Sequence, residues 1–210
     1  MTDVKSVKNR SERAAETRRR ILDAALDLFV ANGYGATKLQ EVADRAGVAI
    51  QTIYFVFGNK RKLLKDLVDA TIAGDDEPIA TMDRPWFRAA MAAETADALL
   101  HAHVRGAGAV LRRVSAITDM VATAIASDAA VAQLWPDGEQ PRLTVHTAVA
   151  EALIAKPGAR DGITAETAAD LLFVLLSTEM YLLFVRERGW PSERWEQWTY
   201  ETLRAQLCAP

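Results

Sequence analysis

The chain has 210 residues, half of them apolar and a quarter charged, with one cysteine and a formal net charge of −3. That is enough apolar mass for a sizeable core in one long domain or two short ones, and it excludes collagenous, disordered and disulfide-stapled classes. Glycine (11) and proline (7) are sparse, a mix that favours helices over a turn-rich β-sandwich.

The charge is unevenly placed. Residues 1–65 hold 13 basic against 7 acidic side chains, or +6, while residues 66–210 hold 12 against 21, or −9. A basic end on an acidic body is the footprint of a small nucleic-acid-binding module, although a solvated basic face would read the same way. Cys208 has no partner sulfur for a disulfide or a CxxC site, which fits a reducing cytoplasm. Residues 1–20 contain no apolar signal-peptide segment, and the longest purely apolar runs, Leu171 to Leu176 and Met180 to Val185, are far too short to span a bilayer. No membrane partner and a cytoplasmic location are expected.

In chain order, a helix is predicted from about Ala14 to Ala31, with Ile21, Ala25, Leu28 and Phe29 on one face and Asn32-Gly33 as its stop. Thr37 then offers a cap for a short helix carrying Leu39, Val42, Ala43 and Ala46 and ending at Gly47. A second short helix follows with Ile53 and Val56 inward, and after Gly58 the residue Asn59 can cap a fourth helix carrying Leu63, Leu64, Leu67, Val68 and Ile72. Beyond Pro85 the pattern is helical throughout, with breaks at Pro136, at Pro141 and from Lys156 to Gly162. A helix from about Thr164 to Glu187 is apolar almost all round and needs burial on every side. The last helix, Pro191 to Leu207, adds an aromatic stripe, and the surplus apolar surface of these two helices points to self-association.

Residues 39–58, LQEVADRAGVAIQTIYFVFG, fit the helix-turn-helix template. Ala43 is small where the helices cross, Gly47 takes the turn position that needs positive φ, and Val42, Ala46, Val48, Ile53 and Val56 fill the inward sites. Ala49, Ile50, Gln51, Thr52, Tyr54 and Phe55 are left for the exposed face, and Phe57 is read as structural. These are side chains suited to a major groove.

With those residues in view, the stretch TRRRILDAALDLFVANGYGATKLQEVADRAGVAIQTIYFVFGNKRKLL resembles the amino-terminal domain of the TetR family of bacterial transcriptional regulators. Ile21, Ala25, Phe29, Gly33, Thr37, Ala43 through Val48, Thr52-Ile53-Tyr54, Phe57, Lys60 and Leu63 carry the likeness. The resemblance implies an all-α chain: a basic arm and three-helix DNA-binding domain over 1–58, a connecting helix over 59–75, and a ligand-binding and dimerisation body over 76–210. It also implies that Thr37, Tyr54 and Lys60 meet phosphate. Helix amino termini favour anions at Thr37 and Lys60, and Arg18, Arg19, Arg20 and Lys38, with Lys5, Lys8, Arg10 and Arg13 in a flexible arm, add positive charge. Ala49 departs from the family's usual Ser or Thr at the start of the recognition helix, and Val56 from its His or Tyr. That helix has no Lys or Arg, so Gln51 to adenine and Ile50 or Thr52 to thymine methyl are the natural pairings.

The expected partners are therefore a double-stranded operator, an unidentified small-molecule effector and a second copy of the chain, with no enzymatic activity, cofactor or metal. His101 and His103 are two apart and turn about 200° from each other on a helix, so they cannot share a metal, and His146 has no companion by spacing. Trp86, Phe87, Met91, Leu99, Met120, Val121, Trp135, Phe173, Glu179 and Tyr181 are candidates for an effector pocket, with Glu179 favoured as the partner of an Arg or a helix cap. Leu172, Leu175, Leu183, Trp195, Trp198 and Leu203 are candidates for the dimer face. Gly106-Ala107-Gly108 is read as a close helix contact, since no strand precedes it. A helical enzyme with an incidental basic end, or a DNA-binding regulator with no small-molecule ligand, are the competing readings.

Overall fold

The computed structural model describes residues 3–77, 79–134 and 141–210, with side chains described from Glu12 onward. Among these residues every regular element is helical: α1 (Asp3–Asn32), α2 (Leu39–Ala46), α3 (Ile50–Phe57), α4 (Lys60–Ala73), α5 (Pro85–Met91), α6 (Ala96–Ser115), α7 (Thr118–Ser127), α8 (Ala129–Ala132), α9 (Pro141–Ile154), α10 (Ala165–Leu175), α11 (Thr178–Leu182) and α12 (Ser192–Leu207). The chain divides into two compact units, the first Met1–Glu77 with Ile117–Asp137, the second Pro78–Ala116 with Gly138–Pro210. The expected body over 76–210 is thus corrected. Residues 117–134 group with the amino-terminal unit because Ile117, Met120, Ala124 and Val131 bury their apolar faces in its core.

In the first unit, Ile21, Ala25 and Phe29 recur every four residues on α1 and are completely buried against α2, α3 and α4. Ile21 and Phe29 each contribute about 1.5–3 kcal/mol of apolar burial, and the Ala25 methyl about 0.8 kcal/mol. Gly33, at φ 82°, ends α1 with its N–H on the Phe29 carbonyl at 3.0 Å. The expected flexible arm is corrected, since Asp3–Asn32 form one continuous helix.

The second unit has its own core of Phe87, Leu99, Leu100, Leu153, Leu172, Tyr181, Trp195 and Leu203, drawn from α5, α6 and α9–α12. The single long helix expected over 164–187 breaks after Leu176, where the Ser177 hydroxyl accepts from Met180 N–H at 3.1 Å and caps α11. α11 then continues as a π turn over Leu183–Glu187. Among the described residues no single helix is long and apolar enough to cross a membrane.

Candidate nucleic-acid interface

The first unit assembles a helix-turn-helix from residue size upward. Val42, Ala43 and Ala46 are buried on α2, Ile53 and Phe57 on α3. Ala43 is fully buried, so no larger side chain fits there without moving a helix. The corner is Gly47, at φ 65°, a left-handed conformation that glycine reaches without steric cost. Behind it the Val48 N–H donates to the Ala43 carbonyl at 3.0 Å, which locks the entry to α3.

What the corner presents is the far side of α3. Phe55 is 91% exposed and Tyr54 51%, with Gln51 and Ala49 exposed and Ile50 and Thr52 half-buried. A phenyl ring so fully in water is costly in a protein that meets no partner. α3 carries no charged side chain, so positive charge reaches its surroundings from neighbouring elements. Arg19 and Arg20 are exposed on α1 and Lys38 is exposed at the N-cap of α2. Ala49, the N-cap of α3, provides no side-chain acceptor, so the first amides of that helix are not capped by a side chain.

Three residues expected to touch phosphate have other partners. Thr37 is not the cap of α2. That position belongs to Lys38, whose N–H donates to the Glu41 carboxylate at 2.9 Å. The Thr37 side chain is buried to 2% exposure and its hydroxyl lies 2.9 Å from the Gly33 carbonyl oxygen, tying the α1–α2 turn together. Lys60 curls back so that Nζ donates to the carbonyls of Tyr34 and Gly35 and sits 4.3 Å from the Tyr34 ring centre. Burial holds its pKa below the usual lysine value, against the pull of Asp128 and Glu41. Arg18 is an internal staple: its guanidinium reaches Asp66 at 3.0 Å and Asp76 at 2.7 Å and lies over the Phe57 ring. Burial opposes that charge, but the hydrogen bonds to Asp76 and Asp66 outweigh it and keep the pKa above the ordinary arginine value. These three residues hold α1, α4 and the α1–α2 turn in place, and α3 is aimed by them.

The residues expected to line an effector pocket are dispersed. Met120 and Val121 pack in the first unit's core, and Trp135 lies outside the described residues. Phe87, Leu99 and Tyr181 are core side chains of the second unit, Trp86, Met91 and Phe173 are half-buried there, and Glu179 is exposed. An open groove between α6 and α12, lined by His101, Arg105, Glu193, Glu196 and Tyr200, includes none of them. The dimer-face expectation is likewise corrected for Leu172, Trp195 and Leu203, which are completely buried within one chain because the core of the second unit is built around them. Leu175 and Trp198 are half-buried, and Leu183 remains exposed, as does Val174.

Spacing alone did not reveal a pair of buried histidines. His103 Nε2 and His146 Nδ1 meet at 3.3 Å between α6 and α9. Burial, with His146 adding to it, pushes His103 down to about 3, and burial, with Arg142 adding to it, pushes His146 down to about 4. Both are neutral at neutral pH. Arg142 and His146, four apart on α9, were a visible i, i+4 signal, while the link to His103 exists only in the fold.

Residues 21–67 match the family described as "Bacterial regulatory proteins, tetR family". Among curated proteins, the chain is 36% identical over 76 residues to the HTH-type transcriptional regulator SrpR of Pseudomonas putida, a match covering 35% of this chain and 36% of the relative. It is 46% identical over 54 residues to the HTH-type transcriptional repressor KstR of Mycobacterium tuberculosis, covering 26% of this chain and 24% of the relative. Even for the uncharacterized regulator TtgW of Pseudomonas putida the match spans only 57% of the relative's length. Among solved structures, a putative TetR-family transcriptional regulator from Mesorhizobium loti aligns with TM-score 0.69 at 20% identity, covering 94% of this chain and 99% of the other. FadR of Bacillus subtilis, solved in complex with stearoyl-CoA, aligns with TM-score 0.66 at 18% identity over 88% and 96% of the two chains. At these identities the structures establish a shared fold.

Proposed function

We propose, on the match of residues 21–67 to the tetR family of bacterial regulatory proteins, that the chain is a DNA-binding transcriptional repressor. It binds a palindromic operator as a homodimer and is released by a small apolar or amphipathic effector held in the second unit. The observation that carries this reading is the exposed edge of α3, where Gln51, Tyr54 and Phe55 stand clear of the core. Gln51 pairs with adenine, Phe55, Ile50 and Thr52 meet thymine methyls, and the Tyr54 hydroxyl meets phosphate. Arg19, Arg20 and Lys38 supply salt-dependent phosphate contacts. SrpR and KstR, whose names mark them as a regulator and a repressor, match 35% and 26% of this chain.

The effector half of the proposal draws on fold neighbours solved with stearoyl-CoA and with choline. The dimer draws on Val174 and Leu183, large apolar side chains that the second unit leaves exposed. Two-fold symmetry sets the half-sites about one helical turn, roughly 34 Å, or a multiple apart. An effector that loosens DNA binding is itself bound less tightly by the DNA-bound protein, through the same coupling free energy of about 1–3 kcal/mol. A cytoplasmic location follows from acting on the chromosome. Capture and sequencing of genomic fragments bound by the purified protein tests the reading: enrichment of an inverted repeat supports it, and no enrichment over random duplex at moderate ionic strength refutes it.

A further inference from the structure

In the second unit, two buried imidazoles are only half-satisfied by the fold. His103 and His146 share one hydrogen bond at 3.3 Å. A neutral pair joined in this way spends one N–H and one lone pair on the shared bond, and so turns one N–H and one lone pair outward whichever tautomer is present. The outward atoms, His103 Nδ1 and His146 Nε2, are sealed from solvent and meet no hydrogen-bond partner among the described residues. Such atoms are rare in folded proteins, where buried polar groups are almost always paired.

Their surroundings are aromatic and carry one positive charge. Trp86 stacks on His103 at a centroid distance of 6.2 Å, lying in the notch left by Gly106, and Phe173 is edge-on to His146 at 6.4 Å. One turn before His146, the Arg142 guanidinium lies 3.7 Å from the Phe173 ring centre and donates to the carbonyls of Phe173 and Leu176. No carboxylate among the described residues stands within ion-pair distance of it. Burial holds its pKa below the ordinary arginine value, with Glu179 pulling the other way. The cluster therefore combines a cation held by neutral carbonyls, an outward N–H and flat apolar walls.

We propose that His103, His146 and Arg142 form the polar end of the effector site, and that the effector is a small apolar molecule, aromatic or acyl, carrying one carboxylate. The inference rests on the reading that the second unit takes an effector. A carboxylate gives Arg142 the opposite charge the fold withholds and accepts the imidazole N–H. It selects the tautomer in which His146 Nε2–H points to the ligand and His103 Nε2–H donates to His146 Nδ1. Trp86 and Phe173 cover the apolar part.

Isothermal titration of the full-length protein with phenylacetate, 3-phenylpropionate and octanoate, each beside its primary amide, tests this. At least one acid is expected to bind about tenfold more tightly than its amide, the scale of one charge-assisted contact. That preference is expected to vanish in Arg142→Met and in His146→Phe, with circular dichroism confirming that each is folded. If either variant fails to fold, Arg142→Gln or His146→Leu takes its place, with the same loss expected. The proposal is overturned if no acid binds, if acids and amides bind alike, if the variants keep the preference, or if ordered waters alone satisfy the outer nitrogens in a crystal grown with the acids. Operator capture is run in parallel on ligand-free protein. DNA binding without acid binding removes this inference and leaves the repressor reading standing, whereas acid binding without DNA binding does the reverse.

Discussion

Acidification from pH 6.5 to pH 5 is expected to destabilise the second unit through His103 and His146. Unfolded, a histidine titrates near 6.5; folded, these two titrate at about 3 and about 4 because burial disfavours their charged forms. The folded pKa is depressed in both, so below about pH 6.5 the unfolded chain takes up protons that the folded chain refuses. Their neutral burial is tolerated above that pH, and stability is lost as the pH falls toward 4. Within the window each histidine contributes a slope of about 1.4 kcal/mol per pH unit, so the pair removes roughly 3 kcal/mol per unit below about pH 6. That is a large share of the 5–15 kcal/mol that holds a typical domain folded. Urea unfolding followed by tryptophan fluorescence reports mainly on this unit, because four of the chain's five tryptophans, Trp86, Trp190, Trp195 and Trp198, lie in it. The double variant His103→Leu, His146→Leu is expected to flatten the curve between pH 6.5 and pH 5 without losing stability at pH 7, since it removes two half-satisfied imidazoles. An unchanged slope in that variant, or a flat wild-type curve over the window, refutes the reasoning.

Further outcomes follow from the first unit. Ala49→Ser gives α3 the side-chain cap it lacks and is expected to stabilise by about 0.5–1 kcal/mol in denaturant melts. Thr37→Val keeps the shape but removes the hydroxyl bound to the Gly33 carbonyl, and is expected to cost about 1–3 kcal/mol in the same melts. At the α2–α3 crossing, Ala43→Leu is expected to cost about 1–3 kcal/mol by overpacking and to abolish operator binding in gel shift by tilting α3.

The helix-turn-helix was legible in the sequence because its constraints are local. A small residue at 43, a glycine at 47 and apolar residues at 42, 46 and 53 are demanded by contacts a few positions apart, and all sit where the pattern puts them. The outward turn of Gln51 and Tyr54 follows once Ile53 and Phe57 face in. Arg18, a cation on a basic helix, reads as a phosphate ligand, and its pairing with Asp66 and Asp76, about 50 residues on, exists only in the fold. Thr37 satisfies the cap rule by preceding a helix, but it stands one residue early, since the cap of α2 is Lys38. Composition could not separate a self-burying helix pair from a dimer face. Trp195 and Leu203 are apolar enough for either, and only the packing of α12 on α6 and α10 buries them inside one chain. The His103–His146 pair depends on α6 and α9 coming together, a contact between positions 43 apart that no periodicity announces.

The claim on which the function turns is that α3 reads base edges with an uncharged face. Fluorescence anisotropy on the duplex enriched from genomic fragments measures it directly, comparing wild type with Gln51→Ala and Phe55→Ala. Both side chains are exposed, so neither substitution disturbs the core, and each is expected to lower affinity about tenfold or more, the 1–3 kcal/mol of a base contact, with unchanged thermal melting. Wild-type affinity in both variants would place the DNA-reading surface elsewhere on the molecule.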